Sequence, residues 1–542
     1  MLKSYDNLIK LAIKNLPKNS GEFLNLKKQL SGQLRLKIPT NADLREYYEK
    51  MIEKGKIRRS LKLEELLLSR RIRTQSGVAI VAVLTKPYPC PGKCIYCPTE
   101  SGMPKSYLSN EPAVMRAISA QFNPYKQVQN RLRSLELNGH KTDKIELIVM
   151  GGTFSFLPKP YQKWFVTECF RACNEYPRAK LLESKSLALG ESLQKEQKKN
   201  EKTKHRIIGL TLETRPDYID KKEIINFRNL GSTRVELGVQ SIFDPVLKAN
   251  RRGHGVDATI RATRLLKDTG FKINYHIMPG LPGSNLKKDS QMFKELFQNS
   301  DFQPDMLKIY PTVVVKNSAL YNLWKKGKYK ALTDKQFEKF ILKIKKSLIP
   351  PYVRISRLVR DVPATSIVAG PKISNIRQLI SHRSDCPCIR CREVGADYDI
   401  REKTMLDRID YAASDGREIF LQYVSRDKPA RGRETRPKKK LFALLRLRIP
   451  NDYNRGHFIP VLQNAAIVRE VHTYGKLTGI SRKDKTSPQH IGLGKKLMQE
   501  AERIAREEFG IRKMAVISGI GVRNYYRKMG YRLKNTYMLK SL

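Results

Sequence analysis

The residues with the clearest chemistry are three cysteines in the stretch KPYPCPGKCIYCPTE, residues 86–100. Cys90, Cys94 and Cys97 have the spacing C-x3-C-x2-C, and no second cysteine pair lies close by in the sequence to complete the four ligands of a structural zinc site. This spacing is typical of a loop that holds a [4Fe-4S] cluster by three irons. The fourth iron is then open, and we expect its ligand to be the substrate or a cofactor.

A second cysteine group occurs in DCPCIRC, where Cys386, Cys388 and Cys391 again supply three thiols. We interpret this group as a structural Zn²⁺ knuckle between two domains. His382 is the nearest candidate for the fourth ligand, but an aspartate, another histidine or a water would serve equally.

A glycine-rich turn near the C-terminus is the third candidate site. Gln489, Gly492, Gly494 and Lys495 lie in QHIGLGK, which opens an amphipathic helix. The free N–H groups and the dipole of a helix start bind a pyrophosphate. A glycine turn alone is a weak signal, but a strand-like stretch, IVREVHTYG (467–475), precedes it.

The elements that must position the first cysteine group are short β-branched runs separated by amphipathic stretches. The runs are GVAIVAVLT, KIELIVMGG, RIIGLTLET, TRVELGVQS, FKINYHIMPG and MLKIYPT. They predict repeated βα units, hence a parallel barrel or a doubly wound sheet. In a barrel, reactive groups lie on loops after the C-terminal ends of strands, and the cysteines follow the first run directly.

Composition changes along the chain predict four regions. Residues 1–75 are a basic helical segment, 76–350 carry the βα units, 351–400 hold the second cysteine group, and 401–542 form a separate domain. A polar, lysine-rich insertion at 183–205 is expected to be exposed.

The charge balance predicts a polyanionic partner. The 542 residues contain 105 Lys plus Arg against 52 Asp plus Glu, a formal net charge of +53. Such an excess repels itself unless a polyanion neutralises part of it, and nucleic acid is the commonest one. Adaptation to high temperature or salt, or a lysine-rich proteome, would give the same excess.

The composition also argues against several protein classes. No run of eighteen apolar residues could span a bilayer, and the N-terminus lacks the apolar block of a signal peptide, so we expect a cytoplasmic protein without membrane contact. Eight cysteines in such a chain do not suggest disulfides. Cys169 and Cys173 are four apart in a helical pattern and are expected to pack in a core.

The cysteine triplet after the first strand resembles the radical S-adenosylmethionine (SAM) superfamily, in which the open iron chelates SAM. The resemblance implies an α/β fold that begins with a partial (β/α) barrel. It implies that Gly151 and Gly152 let the backbone approach the methionine part of SAM. Glu213 and Gln240, at later strand ends, are implied contacts of the ribose or carboxylate.

The C-terminal region resembles the GNAT acetyltransferases, whose glycine turn holds the pyrophosphate of acetyl-CoA. One family joins a radical SAM barrel to a GNAT-type α/β domain. The stretches IELIVMGGTFSFLP, LTLETRPDYID, RVELGVQS, HIMPGLPG, IVREVHTYG and VISGIGVRNYYRKMGYRL resemble that family, the catalytic subunits of the Elongator complex, in its archaeal type.

This resemblance implies a set of acetyl-CoA contacts and candidate catalytic residues. The implied contacts are Lys144, Glu470, Val471, His472, Thr473, Leu493, Gly494, Lys495 and Tyr526. Lys144 lies in the barrel and would let the thioester face the radical chamber. His472, Tyr525 and Tyr526 are candidates for assisting thioester hydrolysis, and core packing is the alternative for Tyr525.

The implied activity is attachment of a carboxymethyl group to C5 of the wobble uridine of tRNA. Uracil C5 is a weak nucleophile and the acetyl methyl group a poor electrophile, so a polar acetyl transfer cannot form the carbon–carbon bond, whereas a radical can. The alternatives are a protein lysine acetyltransferase with a vestigial barrel and a tRNA-binding scaffold without activity. The resemblance leaves open a homodimer and other Elongator-type subunits as partners.

Overall fold

The computed structural model describes residues 4–69, 77–177, 192–381, 383, 385–395, 402–426, 439–451, 456–475 and 492–542. Gln489, His382 and residues 183–191 of the polar insertion lie outside the described residues. Within the described part of the chain, no helix combines the length and apolar character that a membrane crossing requires.

The N-terminal segment is a small bundle with its own core. Its helices are α1 (Ser4–Lys14), α2 (Ser20–Gln33), α3 (Asn41–Glu53) and α4 (Leu61–Leu67). Asn19 caps α2, and Thr40 and Asp43 form a reciprocal capping box at the start of α3. Leu8, Phe23 and other apolar side chains of the bundle cluster apart from the main core.

The central part of the chain alternates strands and helices, as the βα pattern predicted. In chain order these are β1 (Ala79–Leu84), α5 (Pro112–Ser119), α6 (Pro124–Leu137), β2 (Lys144–Met150), α7 (Lys159–Glu175), α8 (Leu193–Asn200), β3 (Arg206–Thr214), α9 (Lys221–Leu230), β4 (Arg234–Gln240), α10 (Asp244–Ala249), α11 (Val256–Asp268), β5 (Lys272–Ile277), α12 (Leu286–Gln298), β6 (Met306–Ile309), β7 (Val314–Val315), α13 (Ala319–Lys325), α14 (Asp334–Ser347), β8 (Arg354–Arg357), β9 (Ile367–Ala369), α15 (Ile376–Leu379) and α16 (Ile389–Arg392).

Seven of these strands form one parallel sheet in the order β1-β2-β3-β4-β5-β6-β8. Strand β2 shows why the sheet forms. Its residues Ile145, Leu147 and Val149 are buried, whereas Lys144 and Glu146 on the other face are partly exposed. The apolar face packs under the helices, and the other face lines the inside of the curled sheet.

The first sheet ends with β8, which pairs with β6 and follows residue 350. The expectation that the insertion 183–205 is exposed is wrong for α8, where Leu193, Glu196 and Asn200 are buried. Asn200 is buried because it hydrogen-bonds to backbone of His205 and Ile207 at the start of β3. Cys169 and Cys173 lie fully buried in α7, as expected.

The C-terminal region forms a second, mixed sheet. Its elements are β10 (Thr404–Ala413), β11 (Gly416–Ser425), β12 (Leu441–Pro450), β13 (Ala466–Thr473), α17 (Leu493–Glu507), β14 (Lys513–Val516), α18 (Arg523–Arg527), β15 (Arg532–Lys534) and β16 (Tyr537–Ser541). The strand order is β10-β11-β12-β13-β14-β16-β15, and only the β13–β14 pair is parallel among the described strands.

A buried ion cluster joins the two sheets at the N-terminal edge of the first one. The β12–β13 register shifts beside Arg469, and a bulge of this kind redirects a side chain. Arg469 forms two hydrogen bonds to Asp305, of 3.0 and 2.5 Å, and one of 2.8 Å to Glu418. Burial alone would raise the pKa of Asp305, but Arg469, Lys267 and Arg446 lower it well below its usual value.

We expect Arg469→Met to lower the free energy of unfolding by about 3–5 kcal/mol, because it removes the one cation among the described residues that hydrogen-bonds to both buried acids, Asp305 and Glu418, and leaves them only the more distant cations of the cluster. Urea unfolding measures the change. Arg261→Met is the matched control, since Arg261 pairs with Asp257 on an exposed helix face and its loss should change little. Equal effects of the two substitutions would contradict the role assigned to the ion cluster.

Candidate active site

A cavity of about 550 Å³ opens at the C-terminal ends of the strands of the first sheet. Cys90, Cys94 and Cys97 all line it, together with Gly152 and Glu213 from the ends of β2 and β3. The parallel arrangement brings these strand ends to one edge, which is why residues so far apart in sequence share one cavity.

The three cysteines are spread along the cavity wall. Cys94 and Cys97 are neighbours, while the Cys90 sulfur lies 4.0 Å from the Thr153 hydroxyl. A hydrogen bond from Cys97 and the nearby Arg252 guanidinium, 3.4 Å from the Cys94 sulfur, lower the pKa of Cys94 to about 4. The same hydrogen bond, together with burial, raises the pKa of Cys97 well above its usual value, so these neighbours favour a thiolate at Cys94 alone of the two.

The glycines after β2 fit a closely approaching ligand. Gly151 and Gly152 both have positive φ, +139° and +92°, and a Cβ on Gly151 would collide with the Thr85 hydroxyl. Gly92 likewise leaves room for the Arg215 guanidinium, whose Nη1 is buried without a hydrogen-bond partner among the described residues. The cavity therefore has both a backbone cradle and a spare cationic donor.

The other two residues that were expected here also line the cavity. The Tyr107 hydroxyl donates a hydrogen bond of 2.8 Å to Glu213. Gln240 ends β4 with a positive φ of +69°.

Sequence reasoning missed the charged residues at the base of this cavity. Glu236 is bound by Lys308 and lies 2.9 Å from the His276 ring nitrogen Nε2. Burial would raise the pKa of Glu236, but Lys308 and His276 hold it well below its usual value. The sequence does carry a signal for these residues. Each of the strands β4, β5 and β6 has a charged or polar residue at a position whose side chain faces the inside of the sheet.

The charged residues continue through the inside of the barrel with alternating sign. Arg234 lies 3.0 Å from Glu146, and Lys272 lies 3.1 Å from Glu470 on β13. Burial would raise the pKa of Glu146, but Arg234 and Lys272 lower it. A line of ion pairs therefore runs from the cavity to the strand of the second sheet that was predicted to contact acetyl-CoA.

The second sheet brings several predicted acetyl-CoA residues together. Gly492 starts α17 in the left-handed region, with φ +79°. A Cβ on Gly494 would lie 2.9 Å from the Tyr525 hydroxyl, 3.6 Å from Thr473 and 3.8 Å from Val471. The glycine turn, β13 and the tyrosine helix thus converge. Leu493 and Lys495 follow in the first turn of α17.

Tyr526 is buried at this convergence, and Glu470 and His472 are partly buried there. Burial lowers the pKa of His472 to about 4, and its Nε2 has no hydrogen-bond partner among the described residues. Burial would raise the pKa of Glu470, but Lys272 and Arg446 hold it low. Tyr526 is buried and Tyr525 is 41% exposed, so packing does not account for Tyr525.

Lys144 lies far from the cysteines. It starts β2, beside Arg206 in the register of β3, and Gly521 of the second domain packs against Arg206. Gly151 follows the other end of β2, about 20 Å away at the rise of an extended strand. Lys144 is thus at the edge of the barrel that faces the second domain, and its predicted contact with acetyl-CoA stays a prediction.

The second cysteine group lies between the two sheets. The sulfurs of Cys386, Cys388 and Cys391 lie within 4.8 Å of one another, compatible with a tetrahedral ion at bond lengths of about 2.3 Å. Arg392 hydrogen-bonds to the Pro351 carbonyl beside β8 and to Gln422 of β11. The knuckle therefore contacts both sheets.

Comparison with known proteins defines the class. Residues 88–296 match the Radical SAM superfamily, and residues 304–385 match the Radical_SAM C-terminal domain. Together with the curled parallel sheet and the cysteine cavity, these matches make the chain a radical SAM enzyme.

Relatives of known name extend over nearly the whole chain. A "tRNA uridine(34) acetyltransferase" of Methanocaldococcus infernus is 45% identical over 522 residues, covering 93% of this chain and 92% of the relative. "Elongator complex protein 3" of Homo sapiens is 39% identical over 500 residues, covering 88% and 86%. The solved structure of the archaeal Methanocaldococcus infernus Elp3 with an N-terminal deletion gives a TM-score of 0.71 at 43% identity, covering 86% of this chain and all of that one.

The chain belongs to the tRNA uridine(34) acetyltransferase and Elongator complex protein 3 family. The resemblance seen in the sequence and the predicted fold class, a partial (β/α) barrel followed by an α/β domain, are confirmed. The positions of the three boundaries between the four predicted regions stay predictions.

We expect His472→Gln to weaken the acid dependence of stability. The unfolded chain takes up a proton on His472 near pH 6.5, whereas the folded chain does so only near pH 4, so this residue costs stability as pH falls from 6.5 to 4. Urea unfolding at pH 7, 6, 5 and 4 should show a fall that is steeper in the wild type than in the variant by up to about 3 kcal/mol. Parallel pH profiles would show that His472 is not held neutral.

Proposed function

We propose that this enzyme attaches a carboxymethyl group to C5 of the wobble uridine of tRNA, using SAM and acetyl-CoA. One observation carries the proposal: a cysteine-lined cavity and a convergent acetyl-CoA-type site lie at opposite ends of one barrel and are joined by the charged residues within it. The name of the relatives supports the choice of tRNA and of position 34.

In the radical half, Cys90, Cys94 and Cys97 hold the [4Fe-4S] cluster. When bound, the cluster and SAM supply a carbon radical that can abstract hydrogen, which polar chemistry at an acetyl methyl group cannot do. The positive charge of Arg252 beside Cys94 favours the thiolate. Gly152 and the free donor of Arg215 offer contacts for the amino acid part of SAM.

In the acetyl half, the start of α17 holds the pyrophosphate of acetyl-CoA through its free N–H groups. Gly494 is needed there because Tyr525 closes over it. His472 is neutral and its Nε2 is unoccupied by any described residue, so it can accept a proton from the water that hydrolyses the thioester. Tyr525 and Tyr526 assist as hydrogen-bond donors.

The proposed zinc knuckle has a structural role. Cys386, Cys388 and Cys391 supply three thiolates, and the fourth ligand stays open. The Lys345 ammonium group lies 3.3 Å from the Cys391 sulfur. A metal here would fix the angle between the two sheets, since the knuckle contacts both.

We expect replacement of Cys90, Cys94 and Cys97 by Ala to abolish iron binding and tRNA modification while zinc remains, because these thiolates supply all the protein ligation of the cluster. Iron, sulfide and zinc are measured after anaerobic purification. Replacement of the second cysteine group by Ser is the matched control and should remove zinc alone. An EPR signal of a [4Fe-4S] cluster in the first variant would overturn the assignment.

The competing activity, protein lysine acetylation with a vestigial barrel, differs in what triggers acetyl-CoA hydrolysis. In the proposed reaction tRNA is the acceptor, so CoA release should rise when tRNA is added, and Lys144→Ala should impair it although Lys144 lies in the barrel. The measurement is CoA release with tRNA, with a lysine peptide and with neither. The proposal would be rejected if CoA release rises with the lysine peptide and is unchanged by tRNA and by the Lys144→Ala substitution.

A further inference from the structure

Three aromatic rings lie together beside residues that line the cavity, and the proposed chemistry uses none of them. The ring centroids of Tyr88 and Phe156 are 6.1 Å apart at 63°, and those of Phe156 and Tyr218 are 5.8 Å apart at 87°. Tyr88 and Phe156 are each 38% exposed. We call these three residues the rim cluster.

The rim cluster borders the cavity on the side of the first cysteine. Each ring is within three residues of a cavity-lining residue, namely Cys90, Thr153 and Arg215. The Arg215 guanidinium also lies 6.0 Å from the centre of the Tyr218 ring. A ligand that enters the cavity past Cys90 therefore passes the exposed rings.

The fold holds Phe156 at the surface. Phe156 ends a short 3-10 helix in which Phe154 is buried, and the next residue, Leu157, is buried as well. The Thr214 hydroxyl donates a hydrogen bond of 2.9 Å to Ser155, tying this turn to the end of β3. Because the residues on both sides of Phe156 are held in place, the position of the exposed Phe156 ring is fixed by the fold. An aromatic ring held at the surface in this way favours a binding role.

The charges around the rim cluster favour a polyanion. Lys86 and Lys93 are exposed and form no ion pair with any residue that the structure describes, and the Lys86 ammonium group lies 5.0 Å from the centre of the Tyr161 ring. The nearby acid, Asp217, is neutralised by two hydrogen bonds from Arg215, of 2.9 and 2.8 Å. Exposed rings beside exposed lysines fit a ligand with both phosphates and flat bases, which is single-stranded nucleic acid.

We propose that the rim cluster is a stacking platform for an unpaired base of the RNA, adjacent to the uridine that enters the cavity. The inference rests on the proposed function. A nucleotide drawn into a cavity leaves its stack, so a neighbouring base loses a partner, and an exposed ring replaces that partner. Stacking contacts only the flat face of a base, which all four bases have. The platform therefore positions the RNA whichever base lies beside the uridine.

The test uses the full enzyme and an anticodon stem-loop RNA with 2-aminopurine beside the wobble uridine. Stacking quenches 2-aminopurine fluorescence. We expect the wild type and Phe156→Tyr to quench it, and Phe156→Leu and Tyr88→Leu to lose the quench and bind the RNA roughly tenfold more weakly. Their KM for tRNA should rise more than kcat falls, because the leucine keeps the apolar volume and removes only the ring face.

Met405→Ala is the matched control, since it removes a similarly exposed apolar side chain, 37% exposed, from the edge strand β10. It should bind and quench as the wild type does. Iron content and the thermal midpoint check that each variant is folded, and Tyr88→Leu carries the test if Phe156→Leu does not fold.

The outcomes separate the two proposals. If the wild type neither binds nor modifies the RNA, the proposed function fails. If the wild type modifies the RNA but the leucine variants retain its affinity and quench, the proposed function stands and the stacking platform is wrong. Loss of affinity in Phe156→Tyr equal to that in Phe156→Leu would also reject stacking, because tyrosine keeps the ring.

Discussion

The two halves of this enzyme depend on one buried ion pair. Asp305 precedes β6 of the barrel and accepts hydrogen bonds from both terminal nitrogens of Arg469 on β13, and a third from the backbone N–H of Ile273. Both side chains are fully buried, so separation of the domains would break these hydrogen bonds and remove the principal partner of Asp305, at a cost of several kcal/mol. The pair therefore fixes which edge of the barrel meets which strand of the second sheet.

That orientation explains how a barrel can contain charges. In a complete (β/α)8 barrel the interior is filled by apolar layers, whereas here the second domain packs against the N-terminal edge of the curled sheet. The ion pairs Arg234–Glu146 and Lys272–Glu470 occupy the space inside. Gly209 leaves room for them, since a Cβ there would lie 3.2 Å from the Glu146 carboxylate. Because each charge has an opposite neighbour, the attraction within each pair offsets part of the desolvation cost of these charged groups.

The local features of the sites could be predicted from sequence, and the long-range pairing could not. Cys90, Cys94 and Cys97 are close together in the chain, and Gly494 belongs to a single glycine-rich turn. Spacing and residue type therefore suffice to identify these sites. Arg469 and Glu236 look like ordinary surface charges, because hydropathy assigns charged residues to solvent. Their burial becomes visible only when partners more than seventy residues away are placed beside them. The same limitation applies to α8, whose polar sequence hides a buried face.

The contrast between Glu470 and His472 decides how the acetyl half can work. Both lie on β13, but Lys272 and Arg446 hold the pKa of Glu470 below its usual range, so this carboxylate stays ionised and is a poor proton acceptor. Burial keeps His472 neutral with a free ring nitrogen, so it can accept a proton, but its pKa of about 4 makes it a weak base. A negative charge that develops nearby, as on the thioester oxygen during hydrolysis, would raise that pKa and strengthen the base only when the reaction is under way.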